Sequence, residues 1–255
     1  MWAALLALVA LAYSSTAQAA PVQVRLPEGS ARGLLVLTTT DGQPIANGEL
    51  VQRSNASRVD SRLSLTFTDG SRWDERVSFS QNQVFRLESY RLEQRGASFP
   101  TSEIEFNRRE QWFKARTQER KDDEIKDASG TLDLPADVYN GMTLVVLKNL
   151  PAGERGSGQM LVFTPKPRLI RMELAREGED DVRLETVGKK AIRYLVKLDV
   201  AGVAGVFAAL LGKEPPDVRY WLLAGDIPMF VRFTGPMYLN GPTWRLEHAT
   251  LQWKE

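Results

Sequence analysis

The chain contains no cysteine, only one histidine and no excess of either charge. Without cysteine the protein has no disulfide, no thiolate nucleophile and no cysteine-ligated zinc site. A metal site would need oxygen ligands alone, and no acidic cluster has that spacing, so we expect neither a metal nor a cofactor. The 33 basic and 32 acidic residues leave a net charge of +1. No basic patch is concentrated enough to predict a nucleic-acid partner.

Motifs for catalysis are equally scarce. Any Ser-His-Asp triad would have to use His248, yet a G-x-S-x-G segment is absent, so we interpret this histidine as a surface or edge-strand residue. The mixed-charge segment 120–130 fits no calcium loop and is better explained as a solvated hairpin tip or short surface helix. We therefore assign no catalytic residue.

The N-terminus predicts export. Residues 2–12 are almost wholly apolar, and the A-x-A pattern at residues 17–19 predicts a signal peptide over residues 1–19. No lysine or arginine precedes the apolar run, which departs from the usual pattern. A run of about 12 residues is shorter than the roughly 20 that a membrane span needs. We expect a mature chain of one β-rich domain, residues 20–255, in the periplasm or outside the cell, with no transmembrane segment and an unknown oligomeric state.

Alternating apolar and polar residues predict a meander of antiparallel strands over residues 50–120. The clearest strand is 62–68, and Asp69-Gly70 turns the chain into a return strand. Glu75 is the one polar residue among the inward positions of that return strand. The inward apolar positions of the hairpin are Leu63, Leu65, Phe67, Trp73, Val77 and Phe79.

Two later segments are apolar at consecutive positions. Residues 143–147 (TLVVL) and 159–163 (QMLVF) predict strands that are covered on both faces. Residues 243–253 predict one final strand whose alternation slips near His248, which indicates a β-bulge or a change of face.

Residues 199–212 (DVAGVAGVFAALLG) predict a short helix over 200–211 that is apolar around its whole circumference. Asp199 would cap its N-terminus and Gly212 would end it. A helix without a polar face is buried on all sides, so we expect the strands to curl into an open barrel or half-barrel around it.

Such a curled sheet either leaves a cavity beside the helix or packs closely against it. The ligand-binding candidates are aromatic residues in or just after the helix: Phe207, Tyr220, Trp221, Phe230 and Trp244. Glu75 has two interpretations, as a carboxylate of a hydrolase or, more commonly, as an acid paired with an arginine at the sheet edge.

Several segments resemble a family of uncharacterised secreted bacterial proteins. They are FTDGSRWDERVSFSQ (67–81), LPADVYNGM (134–142), TPKPRL (164–169) and the run from GKEPPDVRYW to GPTWRLE (212–247). The resemblance implies an exported bacterial protein and assigns no functional residue. Strands wrapped around a short apolar helix are also similar, in architecture, to the open barrels of the Lol-type lipoprotein carriers.

Two functions follow as hypotheses. The first is an exported, non-enzymatic protein that binds a hydrophobic small molecule, a lipid or an envelope partner on the concave side of the sheet. The alternative is a carboxylate-based hydrolase acting on an envelope or carbohydrate substrate.

Overall fold

In a computed structural model the chain is described over residues 20–151, 153–164, 166–184, 187–199, 216–249 and 251–253. The predicted signal peptide and the predicted helix 200–211, with Phe207, lie outside the described residues.

One antiparallel sheet of fifteen strands contains most of the described chain. The strands are β1 (Ala31–Thr39), β2 (Pro44–Asn55), β3 (Arg58–Phe67), β4 (Arg72–Gln81), β5 (Phe85–Arg95), β6 (Ser102–Asn107), β7 (Trp112–Thr117), β8 (Lys126–Thr131), β9 (Gly156–Phe163), β10 (Pro167–Leu184), β11 (Val187–Asp199), β12 (Val218–Leu223), β13 (Phe230–Pro236), β14 (Thr243–His248) and β15 (Leu251–Trp253). One helix, α1 (Thr143–Asn149), is also described.

The strand order is β15-β10-β11-β12-β13-β14-β1-β2-β3-β4-β5-β6-β7-β8, and β9 pairs with β10 beside this path. β8 does not pair with β9, β10 or β15, so the sheet curls without closing. The predicted fold class, an open antiparallel barrel around one short apolar helix, is confirmed. The helix described inside it is α1.

The predicted hairpin of β3 and β4 is confirmed. Leu65 pairs with Trp73 across the turn at Asp69-Gly70, and both side chains are buried. The inward positions of β4 join the main apolar core with those of β1, β2 and β5. This register places Glu75 among them, on the concave side.

The prediction of a strand over residues 143–147 is wrong, because these residues form α1. A short apolar run does not by its periodicity distinguish a buried strand from a buried helix. The turn before the helix has Gly141 at a φ of 66°. Val145, Val146 and Leu147 are buried and belong to the main core.

The C-terminal end of α1 is bound to the N-terminal segment. The Asn149 side-chain oxygen accepts from the backbone N–H groups of Arg25 and Leu26, at 2.9 and 2.7 Å. Lys148 Nζ lies 2.9 Å from a carboxylate oxygen of Glu28, and both side chains are largely buried. These contacts connect residues more than 110 positions apart. Because Val24 N–H donates to the Gln83 carbonyl, they join α1 to the end of the sheet where β4 turns into β5.

The chain between β8 and α1 extends the sheet beyond β9. Tyr139 N–H donates to the Gln159 carbonyl at 2.9 Å, and Gln159 N–H donates to the Asp137 carbonyl at 2.8 Å. The Asn140 amide bonds both the N–H and the C=O of Leu161, each at 2.8 Å. This segment therefore supplies backbone and side-chain partners to a strand edge that would otherwise lack them.

The predicted single strand over residues 243–253 is divided into two. β14 pairs with β1 and β13, whereas β15 pairs with β10. The chain turns at Ala249, next to the predicted slip at His248. The slip in the apolar pattern thus marks a change of partner strand.

Gly48 of β2 provides a test of how closely the curled strands approach. A Cβ added there would lie 1.9 Å from the Ser64 carbonyl oxygen of β3. We expect Gly48→Ala to lower the free energy of unfolding by about 1–3 kcal/mol, the usual cost of overpacking. Gly188→Ala is the matched control, because Gly188 also lies in a strand and an added Cβ there meets nothing within 4 Å. Urea denaturation that finds the two variants equally stable would contradict this account.

Candidate functional site

A cavity of about 230 Å³ lies on the concave side of the sheet, beside the first turn of α1. We call it the central cavity. Its wall combines side chains of β1–β4, α1 and β9 with those of β11–β14, so both halves of the sheet contribute. Most of the wall is apolar, and its aliphatic residues include Leu35, Leu50, Leu63, Leu144, Met160 and Leu246.

Glu75 places a carboxyl group on this apolar wall. Tyr90, from the neighbouring strand β5, donates its hydroxyl proton to Glu75 Oε1 at 2.8 Å. The interpretation of Glu75 as an acid paired with an arginine is therefore wrong. Desolvation raises the pKa of Glu75, and the hydrogen bond from Tyr90 offsets only part of this effect. Burial also raises the pKa of Tyr90, so this phenol remains a neutral donor.

Other polar groups on the wall are few. Tyr220 of β12 interacts with Thr143 at the start of α1, and desolvation together with the nearby Glu75 charge raises the Tyr220 pKa. The indole N–H of Trp73 has no hydrogen-bond partner in the described part of the chain. The cavity wall thus combines the Glu75 carboxyl group and the Tyr220 side chain with an apolar surround.

The structure places four of the five aromatic candidates, since Phe207 lies outside the described residues. Tyr220 and Phe230 line the central cavity. Trp244 packs against Phe67 and Tyr238 instead, with ring centroids 5.5 and 5.8 Å apart. Trp244 is therefore closely packed, whereas Tyr220 and Phe230 border an open cavity.

Trp221 lies on the opposite face of the sheet from its neighbour Tyr220. It belongs to a second apolar cluster with Val182, Ala191, Leu223 and Val231. Its indole N–H donates to Asp180 at 2.6 Å, and the Arg232 guanidinium carbon lies 5.6 Å from its ring centroid. Both faces of β12 are apolar, so sequence alternation alone did not show which face is concave.

The contribution of α1 to the cavity was missed from the sequence. Thr143 and Leu144 line the cavity because residues 143–149 are helical and lie inside the sheet. Two signals in the sequence pointed to this site: the exceptional position of Glu75, an acid on an apolar strand face, and the aromatic candidates Tyr220 and Phe230.

The other candidate regions have fewer features of a functional site. A groove of about 430 Å³ on the β5–β8 face is lined by exposed charges of both signs, such as Arg91, Glu105 and Lys114. Within the described ranges there is no group of three or more histidine, aspartate or glutamate residues that could hold a metal ion. No helix in those ranges is long and apolar enough to cross a membrane.

The pKa of Glu75 gives a pH test of this environment. Since the folded-state pKa lies above the ordinary value of 4.5, the native state holds more protons than the unfolded state between these two values. Stability due to Glu75 is therefore present at low pH and lost as the pH rises through the folded-state pKa. We expect the stability of Glu75→Gln relative to wild type to increase as the pH rises from the ordinary glutamate value through the folded-state pKa of Glu75. The increase is about 1.4 kcal/mol for each tenfold change in the acid constant.

Chemical denaturation across this pH range measures the effect, and ¹³C NMR of the glutamate carboxyl carbons reports the titration directly. Tyr90→Phe removes the hydroxyl donor and should raise the Glu75 pKa further, while Tyr220 stays in place as the other nearby phenol. A stability difference between wild type and Glu75→Gln that does not change with pH would contradict the described environment.

Comparisons with known proteins identify no family for this chain. No protein-family profile and no curated protein sequence matches the chain. Among solved structures, the chain is similar to the crystal structure of a β-barrel-like protein of Domain of Unknown Function DUF1849 from Brucella abortus. The two share 10% sequence identity, with a TM-score of 0.46, over 90% of this chain and 100% of that chain. No site or activity follows from this similarity.

Proposed function

We propose that the protein is an exported, non-enzymatic binding protein that holds a small hydrophobic molecule, or one end of a lipid chain, in the central cavity. The observation behind this proposal is an apolar cavity of about 230 Å³ that lies on the concave side of the sheet, against residues of the main apolar core. Protein interiors normally leave few voids larger than a water molecule.

The size and chemistry of the cavity support a small ligand. An apolar cavity of about 150 Å³ in another protein stays dry and binds benzene, and the central cavity is larger, at about 230 Å³. Each methylene group moved from water into such a site contributes about 0.8 kcal/mol. A chain of roughly eight carbons therefore provides enough free energy for measurable binding.

Export is the second part of the proposal. It is supported by the apolar N-terminal run and the A-x-A pattern at residues 17–19. An intact mass that begins at Ala20 in protein recovered from the periplasm or medium would support it. Full-length chain retained in the cytoplasm would count against it.

The geometry gives less support to a carboxylate-based hydrolase. Glycoside hydrolysis generally requires two carboxyl groups about 5–10 Å apart on either side of the scissile bond. Among the described residues on the cavity wall, Glu75 is the single carboxylic acid.

Mass spectrometry of organic extracts from the purified protein tests the proposed function. We expect one class of hydrophobic molecule to be recovered at close to one per chain. An extract without such a molecule, combined with no binding of octyl-chain compounds in calorimetry, would contradict the proposal.

A pair of variants links binding to the central cavity. Ser61 and Ser64 both lie in β3, but only Ser61 lines the cavity. We expect Ser61→Phe to fill part of the space and to lower the recovered ligand at least tenfold, whereas Ser64→Phe should retain it. Equal ligand content in both variants would place the ligand elsewhere on the protein.

A further inference from the structure

Glu75 differs from Glu28, the other glutamate that the described chain encloses in its interior. Glu28 is 7% exposed and has a cationic partner in Lys148, with Nζ 2.9 Å from the carboxylate. The described hydrogen-bond partner of Glu75 is the neutral Tyr90 hydroxyl, and no lysine or arginine contributes to its pKa. Glu75 is thus an enclosed acid without a cationic partner in the described chain.

The surface that Glu75 leaves accessible faces the central cavity. Its side chain is part of the cavity wall, and a Cβ added to Gly141 would lie 3.4 Å from Oε1 of Glu75. Tyr90 engages that same oxygen, Oε1. A carboxylate accepts several hydrogen bonds through its two oxygens, so Glu75 retains capacity for a donor that enters the cavity.

An ammonium group is the donor whose charge complements this site. Moving a cation into an apolar cavity is costly unless it meets an opposite charge and a hydrogen-bond acceptor. Glu75 supplies both, and the Tyr90 hydroxyl stabilises the ionised form of its carboxyl group. Aromatic rings of Trp73, Tyr220 and Phe230 share the wall and provide further favourable surface for a cation.

We propose that the central cavity selects an apolar amine, a molecule with one ammonium group for Glu75 and about eight carbons for the aliphatic wall. This inference rests on the proposed hydrophobic-ligand function and specifies the chemical class of the ligand. The Glu75–ammonium contact is a charge-assisted hydrogen bond inside an apolar surround. Contacts of this kind are roughly twice as strong as those between neutral groups.

Isothermal titration calorimetry with octylamine, 1-octanol and octanoate tests the selection, because the three share one chain and differ in the head group. We expect wild-type protein to bind octylamine about 10- to 100-fold more tightly than 1-octanol, as a hydrogen bond to a charged group predicts. Octanoate should bind most weakly, because its charge would be buried in an apolar cavity whose described wall holds no lysine or arginine.

The variant Glu75→Gln should lose the preference for octylamine and retain the affinity for 1-octanol. Glu103→Gln is the control: Glu103 lies on the outer β5–β8 face with Arg95 at 3.0 Å, and its loss changes net charge by the same amount. Should Glu75→Gln fail to fold, the comparison of the three compounds on wild-type protein still decides the question.

The outcomes separate the two proposals. Binding of 1-octanol or octanoate as tightly as octylamine would overturn amine selection and leave the hydrophobic-ligand function standing. An amine preference that persists in Glu75→Gln would overturn the role of Glu75. If none of the three compounds binds, both proposals are overturned.

Discussion

The packing of α1 against the inside of the curled sheet is the constraint on which the rest of the structure depends. An open antiparallel sheet with an apolar concave face must cover that face, because leaving it in water costs about 25 cal/mol per Å². Val145, Val146 and Leu147 cover part of it. Asn149 and the Lys148–Glu28 ion pair hold the helix to the N-terminal segment, which in turn pairs with the chain between β4 and β5. The central cavity is the part of the concave side that these elements leave unfilled.

The same arrangement explains why Glu75 has unusual properties. Strand alternation directs it inward, where α1 and the opposite half of the sheet enclose it. Its hydrogen-bond partner, Tyr90, comes from the next strand and is itself deep in the core. Enclosing an acid without a cation costs stability, and functional sites are where such costs are usually found. The cavity and the carboxyl group are therefore explained together, as a site for a molecule that is mostly apolar and carries one group complementary to Glu75.

The sequence predicted those features that local patterns determine. The β3–β4 hairpin follows from alternation and from Asp69-Gly70. The helical state of residues 143–149 was not predictable in this way, because contacts to residues 25–28, far away in the chain, hold it. The face of the sheet on which Trp221 lies was likewise not predicted. β12 is apolar on both faces, and its pairing with β13 contains an irregularity at Trp221. Glu75 was recognisable as an exception to its strand, but its partner depends on how β5 lies beside β4.

We propose above that a hydrophobic molecule occupies the space between α1 and the sheet. Methyl-resolved NMR during a titration with octylamine tests it directly, because methyl groups on the cavity wall and methyl groups in the second apolar cluster give separate signals. We expect shifts and intermolecular contacts at Leu63, Leu144 and Met160 on the cavity wall. Methyl groups of Val182, Leu223 and Val231 in the second cluster should not change. Contacts confined to the second cluster, or no change at the cavity wall under saturating ligand, would contradict the account.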